Sequence, residues 1–200
     1  PKPTPANIAQ LQKPNLELQT AQAYQFSDAI AKARTIPKND PLYPQAQKNI
    51  DRWSQVILDI AIGRAQQGAY QSAIKTANLV PKDRKEIYAT AQQYIPQWQK
   101  KSQLFINNQR QLIAAGKLIR QGQASSYSKA IAAASTIKQD QPAYSEAKKL
   151  INQWSNSIWQ IAQTRANQRL YPSAIAAAQL IPENTPSYLP AQKAIQQWQR

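Results

Sequence analysis

The sequence predicts an all-α fold, an α-solenoid of alternating long and short helices. Three observations carry that expectation. First, an apolar pattern recurs four times: Phe26, Ala29, Ile30, Ala33, Ile36, Tyr43, Ala46, Ile50, Trp53; then Tyr70, Ala73, Ile74, Ala77, Val80, Tyr88, Ala91, Ile95, Trp98. It returns from Tyr127 to Trp154 and from Tyr171 to Trp198. A fixed period of this length is the signature of stacked helical hairpins. Second, the apolar steps are three and four residues, which is helical spacing rather than strand alternation. Third, no segment alternates apolar and polar over a strand length, so no sheet is expected.

The elements follow in order. Residues 1–14 hold Pro1, Pro3, Pro5 and Pro14 and read as an extended linker, because proline fixes φ and removes a backbone donor. The helical-repeat domain is expected over 15–200, with units at about 26–53, 70–98, 127–154 and 171–198. Asn15 would cap a first helix from Leu16 that ends before Phe26. A short helix from Phe26 to Ile36 would stop at Pro37. Asp40-Pro41 signals the start of a long helix on the stripe Tyr43, Ala46, Ile50, Trp53, Ile57, Ile60, ending near Gly68. Tyr70–Leu79 would be short again, closed by Pro81. Asp83-x-x-Glu86 resembles a capping box for the next long helix, in which Pro96 is expected to force a kink or a split.

The period then breaks. Trp53 to Tyr70 and Trp154 to Tyr171 are both 17 residues, whereas Trp98 to Tyr127 is 29, a 12-residue insertion between 99 and 126. Phe105, Ile106, Leu112, Ile113, Leu118 and Ile119 continue the helical stripe, so one helix is expected to reach Arg120 and end at Gly122. A break near Asn107-Asn108 is the alternative. The second half repeats the first at a shift of 101, as Trp53/Trp154, Ile57/Ile158 and Arg64-Ala65/Arg165-Ala166 show. A short helix Tyr171–Leu180 and a last helix capped by Thr185-Pro186 complete the chain.

The alanines Ala29, Ala73, Ala130 and Ala174 would let helices cross closely, and Trp53, Trp98, Trp154 and Trp198 would fill the repeat core. Trp159 has Leu58 as its counterpart, which makes it the candidate exposed contact. Arg64 and Arg165 fall at the ends of long helices, where a cation complements the helix dipole.

The units Trp53–Pro81 and Trp154–Pro182, with their early Trp, the Gly68-x-Tyr70 turn, paired alanines and closing proline, resemble tetratricopeptide repeats. Their spacing is near 44 residues rather than the ~34 of that family. The resemblance implies a right-handed superhelix of four units in two halves and a role in protein–protein interaction. The Ala-Ile…Tyr-x2-Ala…Trp units are also similar in composition to Gln-rich, membrane-anchored cyanobacterial proteins.

Composition narrows function. The 200 residues contain no Cys and no His, so disulfides, thiolate metal sites and imidazole acid–base chemistry are excluded. Only four glycines are present, so no Gly-rich phosphate loop can be built. No enzyme activity, metal or cofactor is therefore expected. Net charge is +15, from 25 Lys and Arg against 10 Asp and Glu, and such a surface attracts polyanions. The charge is concentrated. Residues 87–139 contain no acid but hold Lys100, Lys101, Arg110, Lys117, Arg120, Lys129 and Lys138, and they span the insertion.

The leading expectation is a non-catalytic scaffold that binds another protein. One alternative is a basic module for nucleic acid, anionic lipid or wall polymer; the other is self-association through the repeat ends. The start at Pro1 rather than Met sets the expectation of a piece of a longer, membrane-anchored protein, on either side of that membrane. No span lies in this segment, since no run of about 18 apolar residues occurs.

Overall fold

The structure is a computed structural model, and it describes residues 22–199. The linker expected over 1–14 and the helix start at Asn15 lie outside the described residues. Eight helical segments are described: α1 at residues 22–33, α2 Tyr43–Gln66, α3 Tyr70–Ala77, α4 Lys85–Lys117, α5 Ala124–Ala134, α6 Tyr144–Asn167, α7 Tyr171–Ala178 and α8 Tyr188–Trp198. Among the described residues there is no strand. The fold is all-α, with sequential helices in contact: α2 packs on α3, α5 on α6, α6 on α7 and α7 on α8.

The chain divides into two compact units, Pro1–Gln103 and Leu104–Arg200, and the division falls within α4. Each has its own core. In the first, Ile50, Ile57, Leu58, Ala61, Ala73, Ala77, Ala91 and Trp98 form a buried cluster. In the second, Leu112, Ala130, Ala147, Trp154, Ile158, Ala162, Ala178 and Ile195 do the same. Ile57 and Ile158 are wholly inaccessible, and burying each such side chain contributes about 2 kcal/mol. Trp98 and Trp154 are buried, while Trp53 and Trp198 are half-buried at the cluster edges.

Helix boundaries were legible to within a few residues, but several signals acted otherwise. Residues 22–33 form one helix, so the expected break before Phe26 does not occur, and the helix closes ahead of Ile36. Pro96 does not split α4, which runs through it from Lys85. The alternative break at Asn107-Asn108 is absent too. Asn108 is buried and its amide donates to the Pro142 carbonyl at 2.8 Å, an anchor rather than a hinge. α4 stops at Lys117, short of Arg120, and Gly122 takes a left-handed φ of 77° in the turn that follows.

The expected caps are not formed by side chains. The Asp40 carboxylate accepts from the Leu42 N–H at 2.8 Å, an Asx turn ahead of a helix that begins at Tyr43. Asp83 pairs with Arg34 and Arg84 instead of closing a capping box. The Thr185 hydroxyl donates back to the Pro182 carbonyl at 2.7 Å, and Ser187 takes the N-cap position of α8 without a side-chain bond.

Candidate binding surface

The seven basic residues of 87–139 were the strongest signal in the sequence, and every one of them is exposed. Lys100, Lys101, Arg110 and Lys117 stand on α4, Arg120 on the following turn, Lys129 on α5 and Lys138 on the turn after it. The ion pairs among the described residues are Arg34–Asp83, Arg84–Asp51 and Arg84–Asp83, and none involves the seven.

Lys100 and Lys101 belong to the first unit and the other five to the second. Within the second unit, Arg110 and Lys117 are two turns apart and share one face of α4. Ile106 and Ile113 have the same spacing on a neighbouring line and are also exposed. Arg120 is held by its backbone. The Ser126 hydroxyl accepts from the Arg120 N–H at 2.9 Å and donates to the Gln123 carbonyl at 2.7 Å, which pins the turn that carries the guanidinium. The Gln111 amide donates to the Ala133 carbonyl at 2.6 Å and to the Thr136 hydroxyl, which ties α4 to the end of α5.

Arg64 and Arg165 act differently from a simple dipole pair. Arg64 is 1% exposed. Its Nη1 donates to Thr76 Oγ1 and, at 3.5 Å, to the Ser72 carbonyl, while Nε and Nη2 are buried without a partner. Desolvation lowers its pKa, against the opposing effect of Tyr24. Arg165 is half-buried, and both of its terminal nitrogens have partners. Nη1 donates to the Ser173 carbonyl and Nη2 to the Gly122 carbonyl, both at 3.2 Å. Both arginines therefore clasp the short helix that follows.

Ala73, Ala130 and Ala174 are fully buried, as close helix crossings require. Ala29 is only half-buried. It lines a depression of about 410 Å³ with Ile36, Leu42, Ala46 and Trp53.

Trp159 is half-buried rather than exposed, and its ring stacks on Trp198 with centroids 5.9 Å apart and planes 22° from parallel. In the first unit, Trp98 stacks instead on Tyr94 of its own helix, at 5.2 Å and 9°. The sequence held this signal. Where the first unit has Leu58 and Tyr94, the second has Trp159 and Ala194, so the stacking ring moves from the tryptophan's own helix to the neighbouring long one. Single-position reading missed the exchange because it joins two residues far apart in the chain.

Among the described residues no group of His, Cys, Asp and Glu could hold a metal, and no helix is long and apolar enough to cross a membrane. No family model, curated protein or solved structure matches this chain.

Proposed function

We propose that the chain is a non-catalytic helical-repeat scaffold, tetratricopeptide-like in its stacking of long and short helices, that binds a partner protein through that partner's acidic surface. One observation carries the reading: seven cations in residues 87–139 are exposed, have no acid among them in the sequence, and form none of the ion pairs among the described residues. Cations left without internal partners raise the on-rate for an anionic surface and select its orientation. A helical scaffold suits this role, because contacts can vary along the run of hairpins while the core stays constant.

A nucleic acid or another polyanion is the second reading, favoured by the net charge of +15. The test is affinity capture from native extract, with and without nuclease. The wild-type chain is compared with one carrying K100Q, K101Q, R110Q, K117Q, R120Q and K129Q. The proposal expects a protein retained by the wild type after nuclease treatment and lost with the variant. Equal capture by both chains would reject the basic surface. Capture abolished by nuclease would move the reading to nucleic acid.

A further inference from the structure

The exchange of Leu58 and Tyr94 for Trp159 and Ala194 has a consequence for the surface of the second unit. It leaves a depression of about 510 Å³ between α6 and α8, lined by Trp159, Trp198, Gln160, Gln163, Asn167 and Gln197, with Ala194 in its wall. A tyrosine at position 194 would project its ring into this space. The volume is within the range of small-molecule sites.

The lining is unusual for this chain. The molecule carries a net charge of +15, yet no charged side chain borders the depression. Two stacked indoles supply flat apolar surface. Four primary amides supply both donors and acceptors, and those of Gln160, Gln163, Asn167 and Gln197 are all exposed. Aromatic faces beside neutral amides match a ligand with apolar C–H faces and a rim of hydroxyls, each hydroxyl both donor and acceptor. That is the chemistry of a neutral saccharide. An anion would call for a cation in the lining, and a purely apolar ligand would leave the amides without partners at a cost of about 1–3 kcal/mol each.

A second depression, of about 420 Å³, adjoins the first and shares Gln160 and Thr164 with it. Tyr127, Gln121, Ser157 and Gln168 line it. Arg165 also borders it, with its guanidinium committed to the Gly122 and Ser173 carbonyls. The two depressions flank one ridge of α6, and together they suit an oligosaccharide longer than one depression holds.

We propose that the Trp159–Trp198 depression and its neighbour form a binding site for a neutral oligosaccharide. None of the seven basic residues of 87–139 lines either depression, and the site does not depend on them.

The probes are maltotriose, cellotriose and triacetylchitotriose, titrated into the 200-residue chain. The readouts are tryptophan fluorescence and the amide NMR signals of the glutamine and asparagine side chains. At least one probe should give saturable shifts that centre on Gln160, Gln163, Asn167 and the two indoles, with an affinity independent of salt. Ala194→Tyr, which restores the ring of the first unit, should weaken that binding at least tenfold while leaving the helical circular dichroism unchanged. Trp159→Leu should do the same, and Trp159→Phe should retain part of the affinity. No saturable shift with any of the three probes overturns the proposal. So do shifts that map away from α6 and α8 in the wild type, affinity that falls with salt, or wild-type binding by a folded Ala194→Tyr chain. The wild-type shift map decides the matter even where a variant does not fold.

Discussion

The two units follow one sequence plan, at an offset of 101 as far as Pro81 and Pro182 and of 100 from Tyr88 and Tyr188 on, yet they treat charge, turn chemistry and aromatic stacking differently. In the first unit three arginines are held by internal partners, although its described lysines, Lys100 and Lys101 among them, are exposed as well. Arg34 pairs with Asp83, Arg84 reaches Asp51 at 2.9 Å and Gln47 at 2.6 Å, and Arg64 is buried. In the second unit the positions 101 after Arg34 and Asp51 are Ser135 and Asn152, and the ion pairs among the described residues all fall in the first unit. Arg110, Lys117, Arg120, Lys129 and Lys138 stand exposed instead. The lesson is that the hairpin core tolerates either arrangement, so the surface is free to specialise.

The crossing alanines give the sharpest way to break this comparison. Ala73 and Ala174 are fully buried at equivalent positions, so Ala73→Leu and Ala174→Leu should each cost about 3 kcal/mol by overpacking, measured by denaturant unfolding. Ala29→Leu, beside an open depression, should change stability by less than about 0.5 kcal/mol. Equal costs at all three would mean that the depression beside Ala29 is closed in solution.

The two arginine clasps come next. Arg64 hides two guanidinium nitrogens without partners, and its removal leaves the Thr76 hydroxyl donating to the Ser72 carbonyl at 2.9 Å. Arg64→Met should therefore be neutral or stabilising by about 1 kcal/mol, since an unsatisfied buried polar group is lost and apolar bulk is kept. Arg165→Met removes two satisfied bonds from a half-buried site and should cost about 1 kcal/mol. Opposite signs for one substitution would confirm the asymmetry; a matching loss at both would remove it.

Ser54 and Ser155 sharpen it further. Both are fully buried, but only the Ser54 hydroxyl has a partner, the Ile50 carbonyl at 2.6 Å, whereas that of Ser155 has none. Ser155→Ala should stabilise the chain by about 1 kcal/mol, and Ser54→Ala should lie within about 0.5 kcal/mol of neutral, both read as shifts in the unfolding midpoint.

The smallest effect concerns a turn. Gly68 has φ of 80° after α2, with its N–H donating to the Ala65 carbonyl at 3.0 Å and that of Ala69 to the Arg64 carbonyl at 2.9 Å, a Schellman closure. Arg169, at the matching place after α6, adopts φ of 62°, with its N–H donating to the Ala166 carbonyl at 2.8 Å and that of Leu170 to the Arg165 carbonyl at 2.9 Å. Arg169→Gly should gain up to about 0.5–1 kcal/mol in thermal unfolding, because glycine enters this conformation without a Cβ clash.

These pairs show what the sequence could and could not say. Helical periodicity revealed the long helices and the core tryptophans, because a stripe of steps three and four needs no knowledge of its partner. The closure at Arg169 was illegible, since no glycine marks it and an arginine rarely takes the left-handed φ of 62° found there. The caps were misjudged for a related reason: Asp83 has a better partner in Arg34, a residue 49 positions away. Trp159 departs visibly from the pattern, but the exposure expected of it does not hold: it is half-buried, and its stacking on Trp198 depends on the spatial neighbourhood of α6 and α8. The basic surface could be seen in the sequence as charge, and the structure adds the exposure of each residue and the absence of an ion pair.

The most direct measurement is made on the chain carrying K100Q, K101Q, R110Q, K117Q, R120Q and K129Q, with folding stability and partner capture read on the same sample. Cations with no internal role should leave the unfolding free energy unchanged within about 1 kcal/mol, or raise it by relieving repulsion, while nuclease-resistant protein capture is lost. A clear drop in stability, or capture that survives the six substitutions, would contradict the account.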